Sequence, residues 1–231
     1  MKLKNNRRKF LKSGALLTPL FLFGKTSELL ANHSSSPMDS IFDVFRSRRS
    51  VRKYKATPVP QEHIDQILKA AASAPCAGNQ QPWRFLVVRK PELIQGMQKA
   101  CIERTKEYFS TQMDMSSEEL ETKMKDTKTY YGHIFAAPVF IVVLTDGDSK
   151  YPDYHHWDGP LAAGYLFLAA RALGYASVHF TDSIPDEVSK KVLNIPDRYT
   201  RVCITPIGIP QEWPESPPKK SLEELVSYNS L

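Results

Sequence analysis

Residues 46–54 (RSRRSVRKY) hold five basic side chains interleaved with two serines. Cations at the end of a helix favour its dipole, which accounts for one or two of them. It does not account for Arg46, Arg48, Arg49 and Arg52 within seven positions beside Ser47 and Ser50. Planar guanidinium forks and hydroxyls in one turn suit a phosphate and a polyhydroxylated chain. A second constellation is APCAGNQQPWRF (74–85). Ala, Pro, Cys and Gly make a tight turn whose backbone can approach a flat ligand, and Asn79, Gln80 and Gln81 offer amides to a heterocycle edge. The same composition also serves a plain helix-to-strand loop stopped by proline. In YHHWD (154–158) the adjacent histidines point in different directions and no third ligand follows at useful spacing, so no metal is expected. Asp158 reads instead as the N-cap of the next helix. No nucleophile–base pair is evident, which assigns the chemistry to a bound cofactor. With no G-x-G-x-x-G fingerprint, a nicotinamide would visit rather than reside.

These residues need elements to hold them. Ile41, Val44 and Phe45 at i, i+3 and i+4, behind Asp39 and Ser40 as caps, predict a first helix. Ile64, Ile67, Leu68 and Ala71 predict a second over 61–73, ending near Pro75. A short strand is expected from Trp83 to Val88 and a helix over 92–109. Residues 110–133 turn polar, with a helix at 118–128, and read as a lid or as a solvated helix. APVFIVVLTD (137–146) is continuous and β-branched, the pattern of a strand buried on both faces. A helix apolar nearly all round follows at 159–173 and should be central. Then come a strand at 176–180, a helix at 186–193 and a strand at 201–208. The proline-rich tail 209–220 cannot enter a sheet interior and should wrap a surface, ending in a helical turn at Leu222–Val226. The order of helices and strands is an α+β pattern.

The first 31 residues differ from the rest. Lys2, Lys4, Arg7, Arg8, Lys9 and Lys12 precede an apolar run from Gly14 to Gly24, with Ala31 as a cleavage point. A membrane span needs roughly 20 apolar residues, more than this run holds. Arg7-Arg8-Lys9-Phe10-Leu11-Lys12 resembles the twin-arginine export signal. That resemblance implies export of an already folded protein through the twin-arginine machinery to the periplasm or beyond. Residues 32–39 read as a linker and 40–231 as one domain. Seven of the 31 Lys/Arg but only one of the 25 Asp/Glu lie in residues 1–31, leaving 24 of each sign. The formal charge of +6 therefore belongs to the leader. No basic excess remains to neutralise a nucleic-acid backbone. Cys76, Cys101 and Cys203 form no C-x-x-C, so zinc and a disulfide framework are not expected, with room for one disulfide.

The blocks RRSVRKY, AAASAPCAGNQQPWRFLVV, APVFIVVLTD, DGPLAAGYLFLAARALGYASV and PIGIPQEWPESPPKKSLEELV occur in this order. Together they resemble the FMN-dependent nitroreductase family from about residue 40 onward. The resemblance implies a mixed central sheet flanked by helices, in an intertwined homodimer with FMN at the interface and a C-terminal extension wrapping the partner. It places Arg48 and Arg49 on the FMN phosphate and ribityl chain, Ser50 nearby, and Arg52 at the pyrimidine edge as the residue acting on the flavin's chemistry. Pro75, Cys76, Ala77 and Asn79 would line the flavin, often from the opposite subunit. Lys219 would reach the phosphate, with Lys220 adjacent. Three features depart from the family pattern: Cys76 stands where serine is usual, Lys219-Lys220-Ser221-Leu222 lacks a proline, and SVHFTDS (177–183) lacks a glycine. His179 either faces the ligand or packs in a strand.

The implied activity is ping-pong transfer of two electrons through flavin to a small aromatic, nitro or quinone-type acceptor. The donor would be NAD(P)H, a quinol or a redox protein. The alternatives are a flavin carrier, a reductive dehalogenase or a flavin-fragmenting enzyme of the same fold.

Overall fold

The computed structural model describes residues 41–181 and 183–230. The expected leader (1–31), linker (32–39) and capping residues Asp39 and Ser40 lie outside the described residues. Strand β2 (Val139–Asp146) is central, with β1 (Trp83–Val88) antiparallel on one side and β3 (Tyr199–Ile207) antiparallel on the other. Its side chains alternate between two cores. Phe140, Val142 and Leu144 enter one with Met97 and Cys101 of α3 (Pro91–Gln112), Ile134 of α4 (Ser117–Ile134) and Leu193 of α6 (Asp186–Leu193). Val139, Ile141 and Val143 enter the other with Ile64 and Ile67 of α2 (Gln61–Ala72) and Ala163 and Leu166 of α5 (His155–Ala172). A period-2 strand between two helical layers must be apolar on both faces, hence the unbroken VFIVVL.

Both pairings in this sheet are antiparallel; among the described residues the parallel pairing is the isolated bridge Ser50–Ser177, outside the three strands. The strand expected at 176–180 is a run of single bridges. Ala176 pairs with Gly208, Ser177 with Ser50 and Phe180 with Ile204. The first and last lie in one antiparallel register along β3 and its end, but Ser177 turns to Ser50 and the two residues before Phe180 make no bridge, so the pairing stays discontinuous.

Residues 110–133 fall in a helical hairpin. A capping box starts α4: Ser116 N–H donates to Glu119 Oε2 at 2.8 Å and Glu119 N–H donates back to Ser116 Oγ at 3.3 Å. Met124, Thr127, Tyr131 and Ile134 are its buried side. The polar residues between them are the solvated side of a packed pair.

Helix α5 begins at His155, four residues before the expected start. Its N-cap is Tyr154, so Asp158 stands inside the first turn and does not cap it. Nor is α5 buried all round. Ala162, Ala163, Leu166 and Ala170 are inside, while Leu161 and Tyr165 are exposed. With Ile41 and Phe45 of α1 (Ile41–Ser47) and Leu168, they line an apolar groove of about 520 Å³.

Cys76, Cys101 and Cys203 are free thiols, and the two buried ones lie in different cores on opposite faces of the sheet. The tail from Gln211 to Ser230 is exposed throughout, including the short helix α7 (Leu222–Leu225).

Candidate functional site

The C-terminal end of α1 delivers the arginines. Arg48 N–H closes the last helical turn onto Val44 O at 3.0 Å, and the chain then leaves as an extended segment. Two anchors fix that segment: Val51 N–H donates to Ser177 O at 3.1 Å, and Tyr54 N–H donates to His133 O at 3.1 Å. The Tyr54 hydroxyl turns back to Val51 O at 2.9 Å, and burial drives its pKa well above the ordinary phenol value against the opposing field of Arg52. Tail and segment are then stitched together by Lys55 N–H to Ile209 O (2.9 Å) and Gln211 N–H to Lys53 O (3.0 Å).

Between this segment and the tail lies a cavity of about 840 Å³. Arg46, Arg48, Arg49, Ser50 and Arg52 line it from one side, and Lys219 with Pro214–Pro217 lines it from the other. Arg46 is paired with Asp43. Among the described residues, Arg48, Arg49, Arg52 and Lys219 have no carboxylate partner within ion-pair distance. Arg49 Nη1 is held by Arg46 O (2.6 Å) and Arg48 O (2.9 Å), while its buried Nε has no hydrogen-bond partner. Arg52 Nη1 rests on Ser50 O at 3.2 Å. Four cations without an ion-pair partner, against the one lining carboxylate of Glu215, around a space of this size, fit a multiply charged anion. A phosphate with an attached polar chain satisfies that chemistry.

Pro75, Cys76, Ala77 and Asn79 do not line this cavity, and neither does Lys220. The four form a separate feature, a loop with left-handed backbone at Gly78 (φ 52°), Asn79 (φ 55°) and Gln81 (φ 48°). Glycine takes this conformation freely, but Asn79 and Gln81 persist in it only when surrounding contacts over-determine them. Those contacts come from Asp158, which is buried and accepts from Ala77 N–H (3.1 Å) and Gln80 Nε2 (2.7 Å). Gln80 Oε1 accepts from Tyr151 N–H at 2.7 Å, and Gln81 N–H donates to Cys76 Sγ at 3.2 Å. A Cβ on Gly78 would fall 2.2 Å from the Tyr151 ring, so only glycine fits there. Asp158 thus secures a distant loop where local reasoning gave it a helix end.

His155 is hydrogen-bonded to Thr145 Oγ1 at 2.9 Å, and His156 lies between the rings of His155 and Trp157. His179 is exposed, with its ring edge-on to Phe167 at 5.8 Å, so it is not packed in a strand interior. Sequence reasoning missed Arg171 and Trp213, which meet beside the cavity. The only local signal was an aromatic residue stranded in a proline-rich tail.

Comparison with known proteins gives this arrangement its context. The nitroreductase family model matches residues 45–209. The chain is 30% identical over 194 residues to an iodotyrosine deiodinase of Thermotoga neapolitana, covering 84% of this chain and 100% of that protein. Among solved structures, it superposes on oxidized iodotyrosine deiodinase bound to FMN and 3-iodo-L-tyrosine. The TM-score there is 0.69 at 26% identity, over 83% of this chain and all of the other. It also superposes on a nitroreductase with bound FMN from Desulfitobacterium hafniense, with a TM-score of 0.62 at 25% identity, over 82% and 98% of the two chains. The arginine cluster, the central buried strand and α5 all fall within the matched span: the chain belongs to the nitroreductase family.

Proposed function

We propose that this protein is an FMN-dependent oxidoreductase that delivers two electrons at a time to a small aromatic acceptor of the nitro or quinone type. The observation that carries the reading is the cavity where Arg48, Arg49, Arg52 and Lys219 converge without carboxylate partners. Arg48, Arg49 and Lys219 would hold the phosphate, Ser50 the ribityl chain, and Arg52 the pyrimidine edge of the isoalloxazine. Lys220 would add field at the phosphate without direct contact. FMN when bound supplies reversible storage of two electrons. The protein contributes position and charge: a fixed guanidinium at the pyrimidine edge stabilises the anionic reduced ring and raises its potential.

Pro75, Cys76, Ala77 and Asn79 complete the site in this reading from a second subunit, since they lie outside the cavity of their own chain. The apolar groove on α1 and α5 and the exposed tail side chains Leu222 and Tyr228 suit a homodimer. They would otherwise stay wet at a cost of about 25 cal/mol per Å². Residues 1–31 would be the twin-arginine leader of a domain spanning 40–231, exporting the flavin-loaded dimer to the periplasm. The donor there would be a quinol or a redox protein rather than a free nicotinamide. Exchanging Arg7 and Arg8 for lysine should leave active, yellow protein in the cytoplasm; unchanged export would remove the leader from the proposal.

Reductive dehalogenation is the second reading, favoured by the match along the whole length of a deiodinase. One experiment separates the two. Protein reduced with dithionite and freed of excess reductant is mixed with a benzoquinone, a nitroaromatic or 3-iodotyrosine, and flavin absorbance and iodide are followed. Fast reoxidation by quinone or nitroaromatic without iodide release supports the first reading. Stoichiometric iodide release, with slow reoxidation by the others, replaces it with the second.

A further inference from the structure

We propose that Arg171 is a positioning residue that seats the C-terminal tail across the cationic cavity, by holding the Ser47 hydroxyl and the Trp213 ring at once. Arg171 is in the last turn of α5 and lines no part of the cavity. Its Nε donates to Ser47 Oγ at 3.0 Å, and Ser47 in turn donates to Asp43 O at 2.5 Å, inside α1. The centre of its guanidinium lies 4.2 Å from the centroid of Trp213. One side chain therefore joins the helix that delivers the arginines to the strand of tail that faces them.

The tail has little else to hold it. After Gln211 its hydrogen-bond, ion-pair and ring contacts with the body, among the described residues, are Lys53 Nζ on Glu212 at 3.1 Å and Trp213 on Arg171. The first is an exposed ion pair, a type worth little. Pro214, Pro217 and Pro218 then keep the chain extended as far as Lys219 and deny it backbone donors. The Trp213 contact is thus the last attachment before the lysine that closes the cavity. Trp is the best cation–π acceptor, and a partly desolvated guanidinium makes the contact stronger.

Charge links this latch to the site's occupant. Burial, and secondarily the nearby guanidinium of Arg49, hold Arg171 below the usual arginine value. An anion in the cavity screens that repulsion, so anion binding and tail seating favour each other, and linkage makes the effect reciprocal.

The cofactor part of the test rests on the FMN reading; the tail part does not. Full-length native protein, Trp213→Ala, Trp213→Phe and Arg171→Gln, all stripped of flavin, are digested briefly with trypsin. Cleavage after Lys219 or Lys220 is read by mass, with and without inorganic phosphate. FMN and riboflavin affinities are measured by fluorescence. Trp213→Ala and Arg171→Gln should each raise tail cleavage and weaken FMN by about tenfold, the size of one cation–π contact. Riboflavin, which lacks the phosphate, should bind all forms alike, and Trp213→Phe should stay close to native. Phosphate should protect the native tail and not the Arg171→Gln tail. Native-rate cleavage in Trp213→Ala, whose side chain lies outside the core, overturns the proposal even if Arg171→Gln misfolds. If native protein binds no FMN the cofactor reading fails, and the cleavage comparison still decides the latch.

Discussion

Arg48 and Arg52 line the same cavity but differ in exposure, Arg48 being half-buried and Arg52 open to solvent. Removing a charge-assisted fork from a buried anion costs on the order of 2–5 kcal/mol. Arg48→Ala should therefore weaken FMN binding by roughly 30-fold or more, measured by fluorescence titration. Arg52→Ala should bind FMN nearly as well and lower its midpoint potential. Equal loss of FMN in both would show that the roles are not divided. The buried thiols make a separate prediction. Burial raises Cys101 and Cys203 from 9.0 to about 12, against the lowering field of Arg201. Between those values the unfolded chain loses protons that the folded chain keeps, so stability is fully present below pH 9 and falls as pH rises toward 12. The slope should reach about 1.4 kcal/mol per pH unit for each thiol. Urea unfolding between pH 8 and 10.5 would follow it, and the double change Cys101→Ala and Cys203→Ala should flatten the curve.

At the scale of elements, α5 carries the most interdependence. Its inner face packs on the sheet, its first turn places Asp158 on the 76–81 loop, and its last turn places Arg171 on the tail. Close approach to the sheet depends on Gly159, where a Cβ would sit 2.5 Å from both Thr145 Cγ2 and Val202 Cγ2. Alanine is the better helix former by about 1 kcal/mol, but overpacking typically costs about 1–3 kcal/mol. Two contacts at 2.5 Å put the cost in the upper part of that range, so Gly159→Ala should lower stability by a net of about 1–2 kcal/mol, seen as a reduced urea midpoint with unchanged slope. It should also loosen the 76–81 loop, because Asp158 is the adjacent residue. A neutral or raised midpoint would mean that α5 can lift without consequence.

For the whole molecule, the two halves of the proposed site do not meet within one chain: the arginine cavity and the Cys76 loop are separate features. Assembly is the step that would unite them. Leu161, 46% exposed on the outer face of α5, lies in the apolar groove that a second copy would cover. Placing a charge there leaves the single chain's core untouched, yet buries an unpaired carboxylate in a dimer, a cost of several kcal/mol. Leu161→Glu should give a folded monomer by sedimentation and circular dichroism, with FMN binding weakened at least tenfold. A dimer that persists with its flavin would put the subunit contact elsewhere.

Much of this was legible in the chain itself. The unbroken β-branched run of β2, the 3.6-residue period of α2 and the proline stops are encoded within windows shorter than the elements they make. The helix expected at 186–193 and that observed are the same. The spacing of Arg46, Arg48, Arg49 and Arg52 also sufficed to bring them together on one cavity, because charges so close in sequence cannot be far apart in space. Other features needed the fold. Asp158 had every local attribute of an N-cap, but α5 starts earlier and its carboxylate satisfies a loop about 80 residues away. The run at 176–180 had strand composition, yet it is shared between two segments, the end of β3 and Ser50, and the pairing along it is interrupted. Arg171 and Ser47 are 124 residues apart, and no periodicity relates them. Such pairs are fixed by how helices settle on the sheet, a property of packed volumes and unsatisfied polar groups that no local window contains.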